Sequence, residues 1–379
     1  KNLKSHYHTQ MNNKNFEVYF DFGASQIRAV AFDKNDSEKK FFYESNQFFD
    51  YKKPESEIEK IISNMERDTN EYLDSINLMI DDVEMLSVNL SIKKNFDLSK
   101  LKKKDIQFLI QDAKQQILRN YLDYSVIHII IKNYKINNID YTFFPSDIVC
   151  NSLSIDIIFI CLPKKILEHL KTIFYKFDIS INQTFCSSYI KSVGYKKKFL
   201  SVKNISFVDI GFNKTSIIFF NEDKICFFEV IPIGGNHITK DLSKLLNISL
   251  TEAENIKLYF NKNFFIKEKF SHEHIQKIIF SRTEEIIKLC IKSINLNTNL
   301  EQTERSKMIL MGQGSKITEN QFVKKIPFFD KIDLLKETIE DIYESTLNLK
   351  QDLNKQEVVM VPKKLIKEGF FEKLFHFFK

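Results

Sequence analysis

The sequence predicts an α/β fold that is duplicated, with two similar halves facing each other across a cleft. The main observation is a strand–turn–strand pattern that occurs twice, at residues 18–32 and 206–220. Asp21 and Asp209 align at one offset, and a glycine follows each of them two residues later. Each unit begins a longer β-rich stretch followed by helical sequence. A repeat of this kind indicates two mixed α/β halves with a cleft between them.

The composition fits a packed globular protein of several domains. The chain has 379 residues, of which 43% are hydrophobic, and this length suits two to four domains. There are 56 basic and 50 acidic side chains, giving a net charge of +6. That excess is too small to indicate a nucleic-acid partner, although it is compatible with an anionic membrane surface.

Several other classes of protein are disfavoured. The five cysteines are scattered without a CxxC pair, which is typical of buried thiols in a reducing compartment. His272 and His274 have no neighbours that complete a metal site. No apolar run reaches the roughly 18 residues of a membrane-spanning helix, and the start of the chain lacks a signal-peptide core. Residues 1–14 are polar and are expected to be disordered.

Glycine is rare in this chain and is placed unevenly. There are only eight glycines, whereas an average composition of about 7% would give over twenty. Six of them fall in four short segments: Gly23; Gly211; Gly234 and Gly235; Gly312 and Gly314. Glycine lets the backbone approach a ligand closely, so these segments are candidate phosphate loops. For any single segment, a tight hairpin turn is the alternative.

The paired turns have the chemistry of a polyphosphate site. Two facing turns can hold phosphates through backbone N–H groups. Asp21 and Asp209, just before the turns, can hold Mg²⁺ through water, because Mg²⁺ keeps most of its water shell. Further candidate phosphate ligands lie in or beside the turns: Ala24, Ser25, Arg28, Asn213 and Thr215.

These segments together resemble the actin/Hsp70 ATPase superfamily. The Asp-x-Gly turns resemble its two phosphate loops, and 308–316 resembles its adenosine loop. The most specific segment is 231–242, which resembles the Gly-Gly-x-x-Ile-Thr-x-Asp-Ile signature of the FtsA family. Glu254 and Lys257 follow at that family's spacing. The resemblance implies an actin-like (ribonuclease H-like) duplicated fold with a central nucleotide cleft that binds ATP and Mg²⁺.

The resemblance also implies further site residues and a division into subdomains. The remaining nucleotide-binding residues would be Gly234, Gly235, Glu254, Lys257, Gly312, Gly314 and Ser315, with Glu254 and Lys257 near the ribose. The family layout gives subdomain 1A at 15–84 and 163–203 with about 336–350, 1C at 85–162, 2A at 204–240 and 304–335, 2B at 241–303, and a linker at 351–362.

The chain departs from the family pattern at several positions. Its second turn reads Gly-Phe-Asn-Lys where the family has Gly-Gly-Gly-Thr, and Ser216 replaces the usual Asp. Gln313 replaces the middle glycine of the adenosine loop, and 184–188 lacks the expected Glu-Pro or Gln-Pro. The expected enzyme activity is therefore at most a slow ATPase that serves polymerisation.

The last seventeen residues, 363–379, predict an amphipathic helix. On a helical wheel, one arc holds Phe370, Phe371, Leu374, Phe375, Phe377 and Phe378, and Lys363, Lys364 and Lys367 lie upstream. This pattern is typical of a helix in the membrane interface, with lysines near anionic headgroups. The alternative is a terminal helix that packs on the protein's own core.

The resemblance implies a membrane tether for cell division. Such a protein would polymerise on the cytoplasmic face of the inner membrane at the division septum. Subdomain 2B would recruit the tubulin-like protein FtsZ, and 1C would contact other division proteins. The alternatives are a PilM-like actin-fold ATPase that binds an inner-membrane partner, and a sugar or acid kinase. The kinase is disfavoured because no acid/base group lies between the two hairpins.

Overall fold

A computed structural model describes residues 15–36, 38–46, 53–141, 143–145, 148–260, 270–298, 306–319, 332–341 and 344–346. The predicted amphipathic helix at 363–379, the linker and residues 1–14 lie outside these described residues. No helix in the described ranges has the length and apolarity to cross a membrane.

Short runs of strands are separated by helices along the described chain. The strands are β1 (Phe16–Phe22), β2 (Ile27–Asp33), β3 (Lys40–Glu44), β4 (Ser75–Ile80), β5 (Leu86–Lys100), β6 (Tyr124–Ile136), β7 (Ile139–Tyr141), β8 (Val149–Pro163), β9 (Ser180–Cys186), β10 (Asn204–Ile210), β11 (Thr215–Asn221), β12 (Lys224–Ile231), β13 (Ser306–Met311) and β14 (Ile332–Leu334). The helices are α1 (Glu55–Thr69), α2 (Lys103–Asn120), α3 (Lys164–Tyr175), α4 (Ser187–Lys196), α5 (Gly235–Leu246), α6 (Leu250–Tyr259) and α7 (His272–Asn297).

Two five-stranded sheets have the same topology. The first has the order β3-β2-β1-β4-β9 and the second the order β12-β11-β10-β13-β14. In each sheet three antiparallel strands come first, and the next two strands add in parallel. Their central strands are nearly continuous apolar sequence because both faces of each sheet are covered. The predicted duplicated, actin-like α/β fold is confirmed.

A third sheet is inserted into the first half. It has the order β5-β8-β6-β7 and is antiparallel, and α2 packs against it. Isoleucines on β6 and β8 alternate with polar residues near the ends of these strands, so one face is buried under α2. This sheet runs from Leu86 to Pro163, and the range assigned to subdomain 1C is 85–162.

The two large sheets are joined through a shared core. One apolar cluster contains the first sheet together with Phe207 and Ile218 from one face of the second sheet. The other face of the second sheet packs against α5, α6 and α7. Helix α4 runs from β9, in the first sheet, toward β10, in the second. Polar residues on α4 are therefore close to the ends of the central strands of both halves.

Candidate functional site

The two predicted turns line one cavity between the halves. The cavity has a volume of about 140 Å³ and lies at the ends of β1 and β10. Asp21 and Asp209 both line it, with residues from both turns. The structure therefore brings the two repeated units together, as the duplication predicts.

The first turn is a short hairpin connection between β1 and β2. The Gly23 N–H donates to the Gln26 carbonyl over 3.1 Å, which closes the turn. A Cβ added at Gly23 would lie 2.6 Å from that carbonyl oxygen, so a larger residue would deform the turn. The register places Asp21 directly opposite Arg28. A carboxylate and a guanidinium therefore face each other at the cavity edge.

The second turn repeats this geometry and is supported from behind. The Gly211 N–H donates to the Lys214 carbonyl over 2.9 Å. The Gly235 N–H donates to the Gly211 carbonyl over 3.0 Å, and a Cβ added at Gly234 would lie 2.5 Å from the same oxygen. The glycine pair that begins α5 therefore allows a close approach that fixes the second turn.

Buried cations pair with both aspartates. Arg28 Nη2 lies 2.5 Å from Asp21 Oδ2, and the Ser187 hydroxyl donates to Asp21 Oδ1 over 2.6 Å. Lys191 Nζ lies 2.6 Å from Asp209 Oδ2. The side chains of Lys191 and Asp209 are each 5% exposed, so this pair is held almost entirely away from water.

Glu337 links the two aspartate pairs into one chain of charges. It lies just after β14 in the second half, with its side chain 3% exposed. One carboxylate oxygen is 3.1 Å from Lys191 Nζ, and the other is 3.9 Å from Arg28 Nη1. From one turn to the other, the sequence of charges is Asp21, Arg28, Glu337, Lys191 and Asp209. Alternating charges thus cross the cavity floor.

A third cation joins the halves at the second turn. Lys214 Nζ lies 2.7 Å from Asp81 Oδ2, just after β4 in the first half, and also contacts the Ser216 hydroxyl. The backbone N–H of Ser188 donates to both oxygens of Asp81, over 3.1 and 3.2 Å. Asp81 is therefore held by α4 as well as by Lys214.

The ion pairs keep these groups charged at neutral pH. Burial alone raises the pKa of Asp209, but the ammonium groups of Lys191 and Lys214 outweigh it, and the pKa lies below 3.8. Burial alone lowers the pKa of Lys191, but Asp209 and Glu337 raise it well above 10.5. Burial also acts against the charge of Arg28, yet the neighbouring carboxylates raise its pKa.

The residues predicted to lie near the ribose are found behind the second turn. Lys257 Nζ lies 2.6 Å from Glu254 Oε2 and 2.8 Å from the Thr239 hydroxyl, and it donates to the Gly235 carbonyl over 3.1 Å. Desolvation lowers the pKa of Lys257, although Glu254 opposes this shift. Lys257 Nζ also lies 5.4 Å from the centre of the Phe212 ring. This polar cluster is thus packed against the second turn.

The structure sorts the predicted site residues into two groups. Those that line the cavity are Asp21, Gly23, Ala24, Ser25, Arg28, Asp209, Gly211, Asn213 and Gly312. Those beside or behind the second turn, outside the cavity lining, are Thr215, Gly234, Gly235, Glu254, Lys257, Gly314 and Ser315. The predicted membrane residues of 363–379 lie outside the described ranges.

One predicted ligand role needs correction. The Thr215 hydroxyl donates to the Ile233 carbonyl over 2.7 Å and is fully buried, so it is not directed into the cavity. Arg28 lines the cavity and pairs with Asp21 in the hairpin register, and its contact with a phosphate stays a prediction.

The donor set fits a hydrated Mg²⁺ ion poorly. Mg²⁺ takes oxygen ligands in near-octahedral geometry and usually keeps several waters. Both oxygens of Asp21 accept from protein donors, and Asp209 is paired with the Lys191 ammonium. Within the described ranges, no group of three or more His, Cys, Asp or Glu side chains is arranged to hold a metal ion.

Sequence reasoning missed several residues of the cavity. They are Asp81, Ser187, Lys191, Lys214 and Glu337. Lys191 could have been recognised from the sequence, because it is the one charged residue in a run of small and apolar residues, 187–194. A signal also existed for Lys214, which stands where the FtsA pattern has Thr. Glu337 lies far along the chain in a segment with no recognisable motif.

Comparison with known sequences identifies relatives of one kind. The family described as "Cell division protein FtsA" matches residues 206–278, which include the second turn. The Cell division protein FtsA of Buchnera aphidicola subsp. Acyrthosiphon pisum (strain APS) is 22% identical over 305 residues, 72% of this chain and 72% of that protein. The protein of the same name from Neisseria meningitidis serogroup B (strain ATCC BAA-335 / MC58) is 47% identical over 53 residues, 14% of this chain and 13% of its own length.

Comparison with solved structures supports the fold. A chain of the "PilM-PilN type IV pilus biogenesis complex" superposes with a TM-score of 0.61 and 11% sequence identity. The match covers 87% of this chain and 89% of that chain. At this identity the likeness shows the fold alone. The predicted resemblance to FtsA is confirmed by the sequence relatives.

Proposed function

We propose that this FtsA-like actin homologue binds ATP between its two turns, polymerises on the cytoplasmic membrane and tethers FtsZ to it during cell division. The observation that carries the nucleotide part is the meeting of both Asp-x-Gly turns at one cavity. Turns of this type direct backbone N–H groups toward anions, which suits a triphosphate.

The charged groups of the cavity favour ATP as a structural ligand. Asp21, Asp209 and Glu337 are each close to a protein cation, so none of them is set to take a proton from an attacking water. We therefore propose slow hydrolysis at most. Binding alone can hold the two halves in one arrangement and thereby favour a filament, because a ligand stabilises the state that it contacts best.

Nucleotide binding is tested by placing a negative charge in the second turn with a side chain of the same size and shape. Asn213 lines the cavity, and its Oδ1 accepts from the Asn236 side chain over 3.0 Å, a bond that an aspartate retains. We expect Asn213→Asp to weaken ATP binding by about tenfold in calorimetry, because the carboxylate repels the phosphates. Asn35→Asp makes the same charge change in an exposed turn and serves as the control. Equal ATP affinity in all three proteins would refute the site.

Membrane attachment rests on the sequence pattern of 363–379. One short amphipathic helix binds reversibly, whereas a filament presents many copies at once, so polymerisation makes attachment stable. We expect deletion of 363–379 to abolish co-sedimentation with anionic vesicles while ATP binding is retained. Unchanged co-sedimentation would contradict a role of the tail in membrane binding.

The remaining parts of the proposal follow the FtsA relatives. Subdomain 2B would bind FtsZ, 1C would contact other division proteins, and the filament would lie on the cytoplasmic face of the membrane at the septum. We keep the predicted subdomain boundaries as part of this proposal. The test is capture of purified FtsZ by the purified chain, together with electron microscopy of filaments on lipid monolayers.

A PilM-like role is the second candidate. The observation that favours it is the structural match to a chain of the PilM–PilN complex over most of both chains. In that case the partner would be a peptide from an inner-membrane pilus-assembly protein. Parallel binding assays with FtsZ and such a peptide separate the two: binding of FtsZ supports the division role, and binding of the peptide alone supports the PilM-like role.

A further inference from the structure

We infer that the cavity carries its own cations in place of a magnesium ion, so that Lys191, Arg28 and Lys214 neutralise its carboxylates and a nucleotide binds without a divalent metal. The statement about the nucleotide rests on the proposed function. The statement that the cavity excludes Mg²⁺ does not rest on the proposed function, because it concerns only the contacts among the side chains of the cavity.

Protein donors already contact both aspartates. Asp21 is held by Arg28 at 2.5 Å and by the Ser187 hydroxyl at 2.6 Å, one donor on each oxygen. Asp209 is held by Lys191 at 2.6 Å. Each carboxylate oxygen can accept a second hydrogen bond, so these donors do not fill Asp21. The guanidinium of Arg28, however, neutralises the negative charge that would attract a hydrated Mg²⁺.

The Lys191 ammonium lies within 3.1 Å of carboxylates from two different segments, Asp209 and Glu337. A divalent cation that bridged these acids would take the place of the ammonium, since two cations cannot share such a space without strong repulsion. The side chain of Lys191 is only 5% exposed, so moving it aside would leave a buried charge unpaired.

The cations also connect the halves. Lys191, on α4 after the first sheet, reaches Asp209 at the end of β10 in the second sheet. In the opposite direction, Lys214 in the second turn reaches Asp81 after β4 in the first sheet. These two reciprocal ion pairs join the phosphate turns directly. The arrangement of the turns therefore needs no metal-bound phosphate to bridge them.

The inference is tested first on the intact chain. ATP affinity is measured by calorimetry in buffer with Mg²⁺ and in buffer with EDTA, and Mn²⁺ is used as a paramagnetic probe of a metal site. We expect the two ATP affinities to agree within about twofold and the Mn²⁺ spectrum to show no protein-bound ion in the absence of ATP. A loss of about tenfold or more in EDTA, or a protein-bound Mn²⁺ signal, would overturn the inference.

A substitution then tests whether Lys191 is the group that takes the metal's place. Lys191→Met keeps the length of the side chain and removes its charge, leaving Asp209 and Glu337 facing each other. We expect millimolar Mg²⁺ to raise the melting temperature of this variant by about 3 °C or more and to leave the wild type unchanged. The same Mg²⁺ response in both proteins would contradict the inference.

A matched control comes from the same helix. Lys196 is also on α4 and is buried to a similar degree, but its ammonium contacts the Phe199 carbonyl and Asp223, away from the cavity. Lys196→Met should show no response to Mg²⁺. If Lys191→Met does not fold, the double variant Lys191→Met/Glu337→Gln removes one of the two acids together with the cation. We expect millimolar Mg²⁺ to raise the melting temperature of the double variant and to leave the wild type unchanged, and no response in the double variant would contradict the inference.

The two proposals fail in different ways. Absence of ATP binding in both buffers would overturn the proposed nucleotide function. The metal inference is decided separately by the Mn²⁺ spectrum of the nucleotide-free protein and by the Mg²⁺ response of the Lys191→Met variant. Binding of ATP that requires Mg²⁺ would overturn the metal inference and support the nucleotide function.

Discussion

The two Asp-x-Gly turns have the same backbone geometry but neutralise their aspartates differently. In the first turn, Asp21 lies opposite Arg28 in the hairpin register, and these two residues form the ion pair. In the second turn, Asp209 lies opposite the uncharged Ser216. Its cation is Lys191, which comes from α4 at the end of the first sheet.

This difference has a structural consequence. In the first turn the ion pair lies within one hairpin, whereas in the second turn it joins the two halves of the molecule. Loss of a cation should therefore have different effects on the two sides of the cleft. At the first turn the main loss is within the hairpin, and at the second the change also removes a connection between the halves.

The largest effect is expected from Lys191→Met. This change leaves both Asp209 and Glu337 without their closest cation, in surroundings that are almost fully buried. Breaking a buried pair by removing one partner typically costs about 3–5 kcal/mol, and we expect the free energy of unfolding to fall by this amount in urea denaturation. Lys196→Met should cost less, because the side chain of its partner Asp223 is 80% exposed. Equal losses would contradict the special position of Lys191.

Arg28→Met should have a smaller effect. Asp21 keeps the hydrogen bond from Ser187, and Glu337 keeps Lys191, so only one carboxylate loses its main partner. We expect a loss of about 2–3 kcal/mol in the free energy of unfolding, measured in the same way. Arg67→Met, at a side chain that is 71% exposed, should change stability little. A loss for Arg28→Met larger than that for Lys191→Met would reverse the comparison.

Lys214→Thr should be milder still, because it installs the residue of the FtsA pattern. Asp81 loses one cation but retains the backbone N–H of Ser188, and Lys214 is its partner rather than a bridge between two acids. We expect a loss of about 1 kcal/mol in the free energy of unfolding. A loss as large as that of Lys191→Met would indicate that Lys214 is the main connection between the halves.

The effect of the Asp209 charge on the pH dependence of stability appears only in acid, so at neutral pH it is the smallest of these effects. The pKa of Asp209 lies below its ordinary value of 3.8, so its contribution to stability is complete above that pH and is lost as the pH falls through the folded-state pKa. We expect Asp209→Asn to flatten the loss of stability below about pH 4 by at most about 1.4 kcal/mol per pH unit, the limit for one proton. Asp223→Asn, at an exposed carboxylate, is the control. Identical acid profiles for all proteins would exclude a contribution from Asp209.

Features within one hairpin could be predicted from the sequence. The repeated strand–turn–strand units place Asp21 and Asp209 at equivalent ends of two central strands, and the structure brings both to one cavity. The partner of Asp21 could also be predicted, because a turn closed between Gly23 and Gln26 necessarily sets Asp21 opposite Arg28. Local spacing therefore contains the first ion pair.

Features that depend on packing between the halves could not be predicted in this way. Lys191 and Asp209 are brought together by the angle at which α4 leaves β9, and Glu337 joins them only because β14 adds to the second sheet beside β13. Neither angle nor strand addition is encoded by a short motif. The direction of the Thr215 hydroxyl likewise depended on the position of Ile233 in a different segment.

The most direct measurement is a crystal structure of the full chain grown with ATP and Mn²⁺, with an anomalous map recorded for manganese. Our account predicts a triphosphate between the turns at Gly23 and Gly211, with Lys191 still bound to Asp209 and no anomalous peak between Asp21 and Asp209. A manganese peak between these two aspartates, with the Lys191 side chain displaced from Asp209, would contradict it.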